Sequence, residues 1–255
     1  KALARKIPDK VALLSKMGHP GVVVPSSVVV DSKGVFKGIA MPYAQGDALC
    51  SLYTNTGRDK LRIGDKETAD IVSGMREVMQ HVHQHQGLMV DANELNWLVR
   101  GTQPIAIDSD SWQLPGFPAT AIMASIRDYH MDPAKGFTEG SDWFSWAVVT
   151  FALWTGIHPF KGTHPTFGRG NMEERMRAHA SVFDAGVKLP PAARGLTPIP
   201  GALKDWYAQM FGSTDRAAPP PLFGAANPLA VGVTHKTVTP AASGSHGTFT
   251  LTKLS

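Results

Sequence analysis

Residues 86–99 read Gln86-Gly87-Leu88-Met89-Val90-Asp91-Ala92-Asn93-Glu94-Leu95-Asn96-Trp97-Leu98-Val99, and residues 105–110 read Ile105-Ala106-Ile107-Asp108-Ser109-Asp110. An acid stands five positions before an amide at the mouth of a short β-rich run. A second acid closes the next such run. The two runs, Asn96–Val99 and Pro104–Ile107, are joined by Arg100-Gly101-Thr102-Gln103, a connection that suits a hairpin. Asp and Asn both favour loops, so the spacing alone carries little weight. Its weight comes from the features that flank it in order.

Upstream, residues 21–43 carry two β-branched runs, Val22–Val24 and Val28–Val30. These are followed by Asp31-Ser32-Lys33-Gly34 as a turn and then by Val35 to Met41, which together predict a hairpin. Ile71, Met75, Val78 and Val82 recur at spacings of four, three and four, one apolar stripe on a helix of about 20 residues. Phe144–Trp154 is apolar nearly all round, as a buried central helix should be. Glu173–His179 and Ala202–Phe211 predict two further amphipathic helices. A β-rich start, a long helix, two short strands and then helices make an α+β arrangement. From Arg216 onward Pro219, Pro220, Pro221 and small residues dominate, which predicts a linker over 216–247. Residues 248–255 alternate polar and apolar and predict one strand of a tail or following domain, since a lone strand cannot bury its face.

In this order the motifs resemble the catalytic core of protein-kinase-like proteins, and most closely a divergent bacterial and phage Ser/Thr branch. The buried helix with its opening Asp142 and its trailing Gly156-Ile157-His158-Pro159-Phe160-Lys161-Gly162 is similar to the central helix of the kinase large lobe. Gly38 to Leu49, with Met41-Pro42-Tyr43, is similar to the strand and hinge that hold adenine. The resemblance covers about residues 10 to 211. It implies a kinase-like fold with a partial β-rich N-lobe and hinge over 1–45 and a helical C-lobe over 46–215. It further implies ATP with Mg²⁺ as cofactors and a protein Ser/Thr hydroxyl as acceptor. Asp91 would orient that hydroxyl, while Asn96 and Asp108 would hold the metal, for which carboxylate and amide oxygens are suitable hard ligands. Met41 would be the gatekeeper, Pro42, Tyr43 and Ala44 the hinge, and Asp142 a structural group capping its helix and tying down the catalytic-loop backbone. The phosphate-pairing lysine is open between Lys6 and Lys1, either of which could instead be a solvated helix residue.

Departures from the family pattern are plain. Met89 and Val90 replace the usual His and Arg, Asn93 replaces a Lys, and Ser109-Asp110 replaces Phe-Gly. No Gly-rich phosphate loop is present. A pseudokinase that serves as an interaction module in a larger assembly, with further domains at either end, is therefore the main alternative. A small-molecule kinase of the aminoglycoside type is a third, opposed by the Asp142 helix and its His-Pro-Phe ending.

Composition excludes other classes. Lys plus Arg minus Asp plus Glu is 25 − 21 = +4, with no basic run longer than two, which gives no argument for nucleic acid. One cysteine, Cys50, excludes an intrachain disulfide framework. No apolar run approaches the ~20 residues of a membrane span, and the expectation is a cytoplasmic protein. Of His81, His83 and His85 only the outer two can share a helix face, too few for a zinc site. Trp143, Trp146 and Trp154 read as core, and His158 as a packed turn residue.

Overall fold

A computed structural model of the chain describes residues 2–119, 121–222 and 250–253. Helix α1 (Ala2–Leu14) comes first, and its Val11 and Leu14 are buried. The Gly21–Val24 segment then runs beside residue 106: Ala106 N–H donates to the Gly21 carbonyl (2.8 Å) and Val23 N–H to the Ala106 carbonyl (2.9 Å). The valine-rich run forms β1 (Ser27–Val30), paired antiparallel with β2 (Phe36–Ala40). The predicted turn is built by the Asp31 carboxylate, which accepts the Lys33 and Val35 amides at 2.9 Å each. Beyond β2, Met41–Gly46 crosses without regular structure to β3 (Asp47–Ala48). A side chain at Gly46 would lie 2.9 Å from the Val99 carbonyl oxygen, so the crossing hugs its neighbour as only glycine allows.

Helices α2 (Asn55–Leu61) and α3 (Asp65–Gln84) follow. The stripe Ile71, Met75, Val78 and Val82 is buried as its period predicts. Strands β4 (Trp97–Arg100) and β5 (Gln103–Ala106) form the expected hairpin and join β3 in a sheet of order β3-β4-β5. Helix α4 (Glu139–Thr155) is buried from Ser141 to Thr155. Its cap is Thr138, whose hydroxyl accepts the Ser141 amide while the Ser141 hydroxyl accepts the Thr138 amide. The expectation that Asp142 caps this helix is thereby corrected. The cap lies four residues earlier because Thr138 and Ser141 satisfy each other, which leaves Asp142 inside the first turn. Helices α5 (Met172–Arg177) and α6 (Gly201–Gly212) complete the helical part. Trp146, Phe151, Tyr207 and Phe211 stack and tee against one another at the α4–α6 contact. The tryptophans are core. Among the described residues, no helix is long and apolar enough to cross a membrane.

The stretch read as a linker begins with packed residues. Arg216 makes a two-pronged pair with the buried Asp128 carboxylate (Nε–Oδ2 2.6 Å, Nη2–Oδ1 2.9 Å). The Ala217 carbonyl accepts the Trp206 indole N–H, and the Pro219 carbonyl accepts Arg76 Nε. Residues 223–249 lie outside the described residues. The predicted terminal strand is β6 (Thr250–Lys253), and it pairs antiparallel with β1 of this same chain to give the order β2-β1-β6. The strand, expected to belong to a tail or a following domain, thus finds an edge within this chain: the open edge of a two-stranded ribbon is itself a template for a third strand.

His158 sits as the sequence suggested, in a packed turn. Its Nε2–H donates to the Ser125 carbonyl (2.8 Å), and its Nδ1 accepts the Phe160 amide (3.2 Å). Burial pushes its pKa down to about 4. Protonating Nδ1 would also turn an acceptor towards an N–H. Folded protein therefore keeps the ring neutral down to about pH 4, while the unfolded chain takes up a proton below about 6.5. Stability accordingly falls with acidification across that window, with a limiting slope of about 1.4 kcal/mol per pH unit for one proton. Urea unfolding at pH 7 and pH 5 checks this: His158→Gln is expected to lose less stability between the two than the unsubstituted chain.

Candidate active site

The loop between α3 and β4 carries Asp91, and its backbone is held from below. Asp142, fully buried, accepts the Met89 amide on Oδ2 and the Val90 amide on Oδ1, both at 2.8 Å. His83 Nε2 meets the same Oδ2 at 3.0 Å. Val90 adopts φ +58, a left-handed conformation that is costly for a β-branched residue. Strain of this kind costs about 1–3 kcal/mol and persists only where the surroundings impose it. Here the two amide bonds to Asp142 do so. A further pair of backbone bonds between Leu88 and Gln113 (2.9 Å each way) ties the start of the loop to the segment after Asp108.

Asp91 and Asn96 are joined directly by a hydrogen bond, and Asn96 is joined to the residue that precedes Asp108. The Asn96 side-chain N–H donates to the Asp91 carbonyl (2.8 Å), and the Asn96 carbonyl accepts the amide of Ile107, the neighbour of Asp108 (3.0 Å). Asp91 Oδ1 accepts the Met123 amide at 2.9 Å. That bond fixes the carboxylate plane and leaves Oδ2 with no protein partner among the described residues. Asn96 Oδ1 and both Asp108 side-chain oxygens are likewise without one. Asp108 itself takes φ +61, a conformation that short polar side chains tolerate. Its turn is stitched by the Ser111 hydroxyl to the Asp108 carbonyl (2.8 Å) and by the buried Ser109 hydroxyl to the Val23 carbonyl (2.7 Å).

This donor set fits Mg²⁺. The ion commonly takes one or two protein oxygens and fills its octahedron with water and phosphate, and one carboxylate with one free amide oxygen matches that. Among the described residues there is no group of three His, Cys, Asp or Glu that could hold a metal, so a histidine or cysteine type of centre has no ligand set here. His81 and His85 do share one face, their rings tilted at 45° with 4.4 Å between ring centres, whereas His83 turns to Asp142. Asn93 is drawn inward, 3% exposed, with its side-chain oxygen accepting the Leu95 amide. It shapes the loop and offers no cation to a phosphate.

Met41, Pro42, Tyr43 and Ala44 lie on the crossing between β2 and β3. Met41 is 37% and Tyr43 87% exposed. Their backbone N–H and C=O groups take no hydrogen bond among the described residues, the condition a hinge must meet to pair with a base edge. Lys6 lies on α1, one turn before Lys10. Lys1 is outside the described residues. Sequence reasoning missed three groups: His83 beneath Asp142, the Met123 amide on Asp91, and Lys10, whose Nζ donates to the Asp110 carbonyl at 2.6 Å. Helical spacing from Lys6 to Lys10 is the one signal that could have pointed to the last. Two surface hollows, one lined by Gln86, Leu88 and residues 113–118 and one near Phe160 and Met172, do not include the three polar residues. The site is defined by its hydrogen bonds.

No family model matches the chain, and no curated protein matches it. Among solved structures it is similar to the kinase PK-1 of Cydia pomonella granulovirus. The two share 14% identity over 81% of this chain and 73% of that chain, with a TM-score of 0.57. Together with the element order above, that likeness shows a kinase-like fold with a small β region.

Proposed function

We propose that the chain is an ATP- and Mg²⁺-dependent phosphotransferase of the protein-kinase type, with a protein Ser or Thr hydroxyl as acceptor. The observation that carries this reading is the Asp91 carboxylate, clamped through one oxygen by the Met123 amide and open at the other. It stands one hydrogen bond from Asn96, which is in turn one bond from the residue before Asp108. The likeness to a viral kinase supports the same reading.

Asp91 would accept a hydrogen bond from the acceptor hydroxyl and aim it in line. Asn96 and Asp108 would hold the metal, which when bound supplies charge neutralisation to the transferring phosphate. The backbone of Met41–Ala44 would receive the adenine. Catalysis of this kind is positioning plus electrostatics, with little covalent work by the protein. A kinase-shaped interaction module is the second reading, favoured by one observation: Asn93, at the position of a usual lysine, is spent on the Leu95 amide.

Thermal unfolding with millimolar ATP or ADP, with and without Mg²⁺, separates the two. A ligand at 100 times its Kd stabilises by about 2.7 kcal/mol, which is several degrees for a chain of this size at about 2–4 °C per kcal/mol. A rise of that order that requires Mg²⁺ is the expected result. An unchanged melting temperature removes the phosphotransferase reading and leaves the interaction module.

A further inference from the structure

The two ends of the metal-side turn are gripped from different directions. Ser109 fastens it to the Val23 carbonyl, and Ser111 closes it upon Asp108. The third hold comes from α1. Val11, at 1% exposure, and Leu14, fully buried, pin that helix to the body of the protein, so the adjacent Lys10 is delivered in a fixed register. Its ammonium donates to the Asp110 carbonyl at 2.6 Å and lies within Coulombic range of both the Asp108 and Asp110 carboxylates. Burial draws its pKa below the usual lysine range, while those two acids push it back. Lys10 is a partly buried lysine whose ammonium is engaged by a backbone carbonyl beside two acids.

We propose that Lys10 is the positioning residue of the metal end of the site: its ammonium holds the Asp108–Ser111 turn through the Asp110 carbonyl and offsets the repulsion between Asp108 and Asp110, so that Asp108 presents its oxygens to Mg²⁺. This positioning role is distinct from that of the phosphate-pairing lysine, which the sequence leaves open between Lys6 and Lys1. It rests on the phosphotransferase reading for its metal half. The hold on the turn is independent of that reading.

Two measurements on the full chain test the halves separately, using Lys10→Met and Lys10→Arg. The first is amide hydrogen exchange in ligand-free protein at Ser111 and Trp112, which close the turn onto the Asp108 and Ser109 carbonyls. Exchange there is expected to quicken at least tenfold in Lys10→Met and to stay within about threefold of the unsubstituted chain in Lys10→Arg, which keeps the charge. Equal exchange in all three proteins overturns the proposal. The second is ADP binding titrated with Mg²⁺. Lys10→Met is expected to need about tenfold more Mg²⁺ for half-maximal binding, with ADP affinity in EDTA unchanged and most of the loss recovered in Lys10→Arg. A faster-exchanging turn with an unaltered Mg²⁺ requirement overturns the metal half. An unsubstituted chain that binds no nucleotide overturns the phosphotransferase reading, and the exchange result then decides Lys10's hold on the turn alone.

Discussion

Asp91→Asn is expected to lower phosphate transfer by about 10²–10⁴-fold, the range attributed to a positioned general base, while leaving Mg²⁺-dependent nucleotide binding intact. The substitution is nearly isosteric. An asparagine oxygen can take over the Oδ1 position and keep the Met123 amide bond. Its NH₂ then faces the acceptor hydroxyl with a donor where an acceptor is needed. Asp108→Asn should fail one step earlier, because it removes the only formal negative charge in the proposed metal set. It should abolish the Mg²⁺-dependent part of the thermal shift as well as transfer. Measured side by side, the two variants thus separate acceptor orientation from metal holding. Full transfer in Asp91→Asn removes its role in orienting the acceptor, and an undiminished Mg²⁺-dependent shift in Asp108→Asn removes its role as ligand.

The largest effect on stability should come from Asp142. Its carboxylate, with no solvent exposure, takes the Met89 and Val90 amides and faces His83 Nε2. Asp142→Ala strips partners from three groups inside the protein at once, each worth about 1–3 kcal/mol when left unsatisfied in a buried setting. Breaking a buried charged network in this way typically costs about 3–5 kcal/mol. The left-handed Val90 would also lose the two bonds that impose its conformation, and with it Asp91 its place. A fall in melting temperature on the order of 10 °C is therefore expected, with transfer activity lost even at temperatures where the variant stays folded. Asp142→Asn should fall between, since its amide oxygen can serve one backbone N–H but its NH₂ opposes the other. A melting temperature within 2 °C of the unsubstituted chain for Asp142→Ala would refute the anchoring role.

The order of Asp91, Asn96 and Asp108 is legible in the sequence because its parts are local. A loop rich in Asp and Asn leads into a hairpin whose turn contains Gly101, and the hairpin returns Ile107 to the Asn96 carbonyl. The α3 stripe and the all-apolar α4 were legible for a related reason: burial on one face, or on every face, writes its own period into the residues. The first turn of α4 differs from the sequence expectation because Asp and Thr are both good caps. The choice between them turned on Met89 and Val90, which claim Asp142 from more than 50 positions away.

What the amino-acid order determined here is the set of short-range devices: the turn at Asp31, the hairpin behind Asn96, the buried stripe of α3 and the all-apolar run of α4. Tertiary packing decided which distant groups complete them. Lys10 reaches Asp110 across 100 positions, Arg216 reaches Asp128 across 88, His83 reaches Asp142 across 59, and β6 finds the free edge of β1. A charge or a strand edge accepts any complementary partner that comes within reach. Which partner arrives is set by how the whole chain buries its apolar surface, and that is a property no local stretch of residues contains.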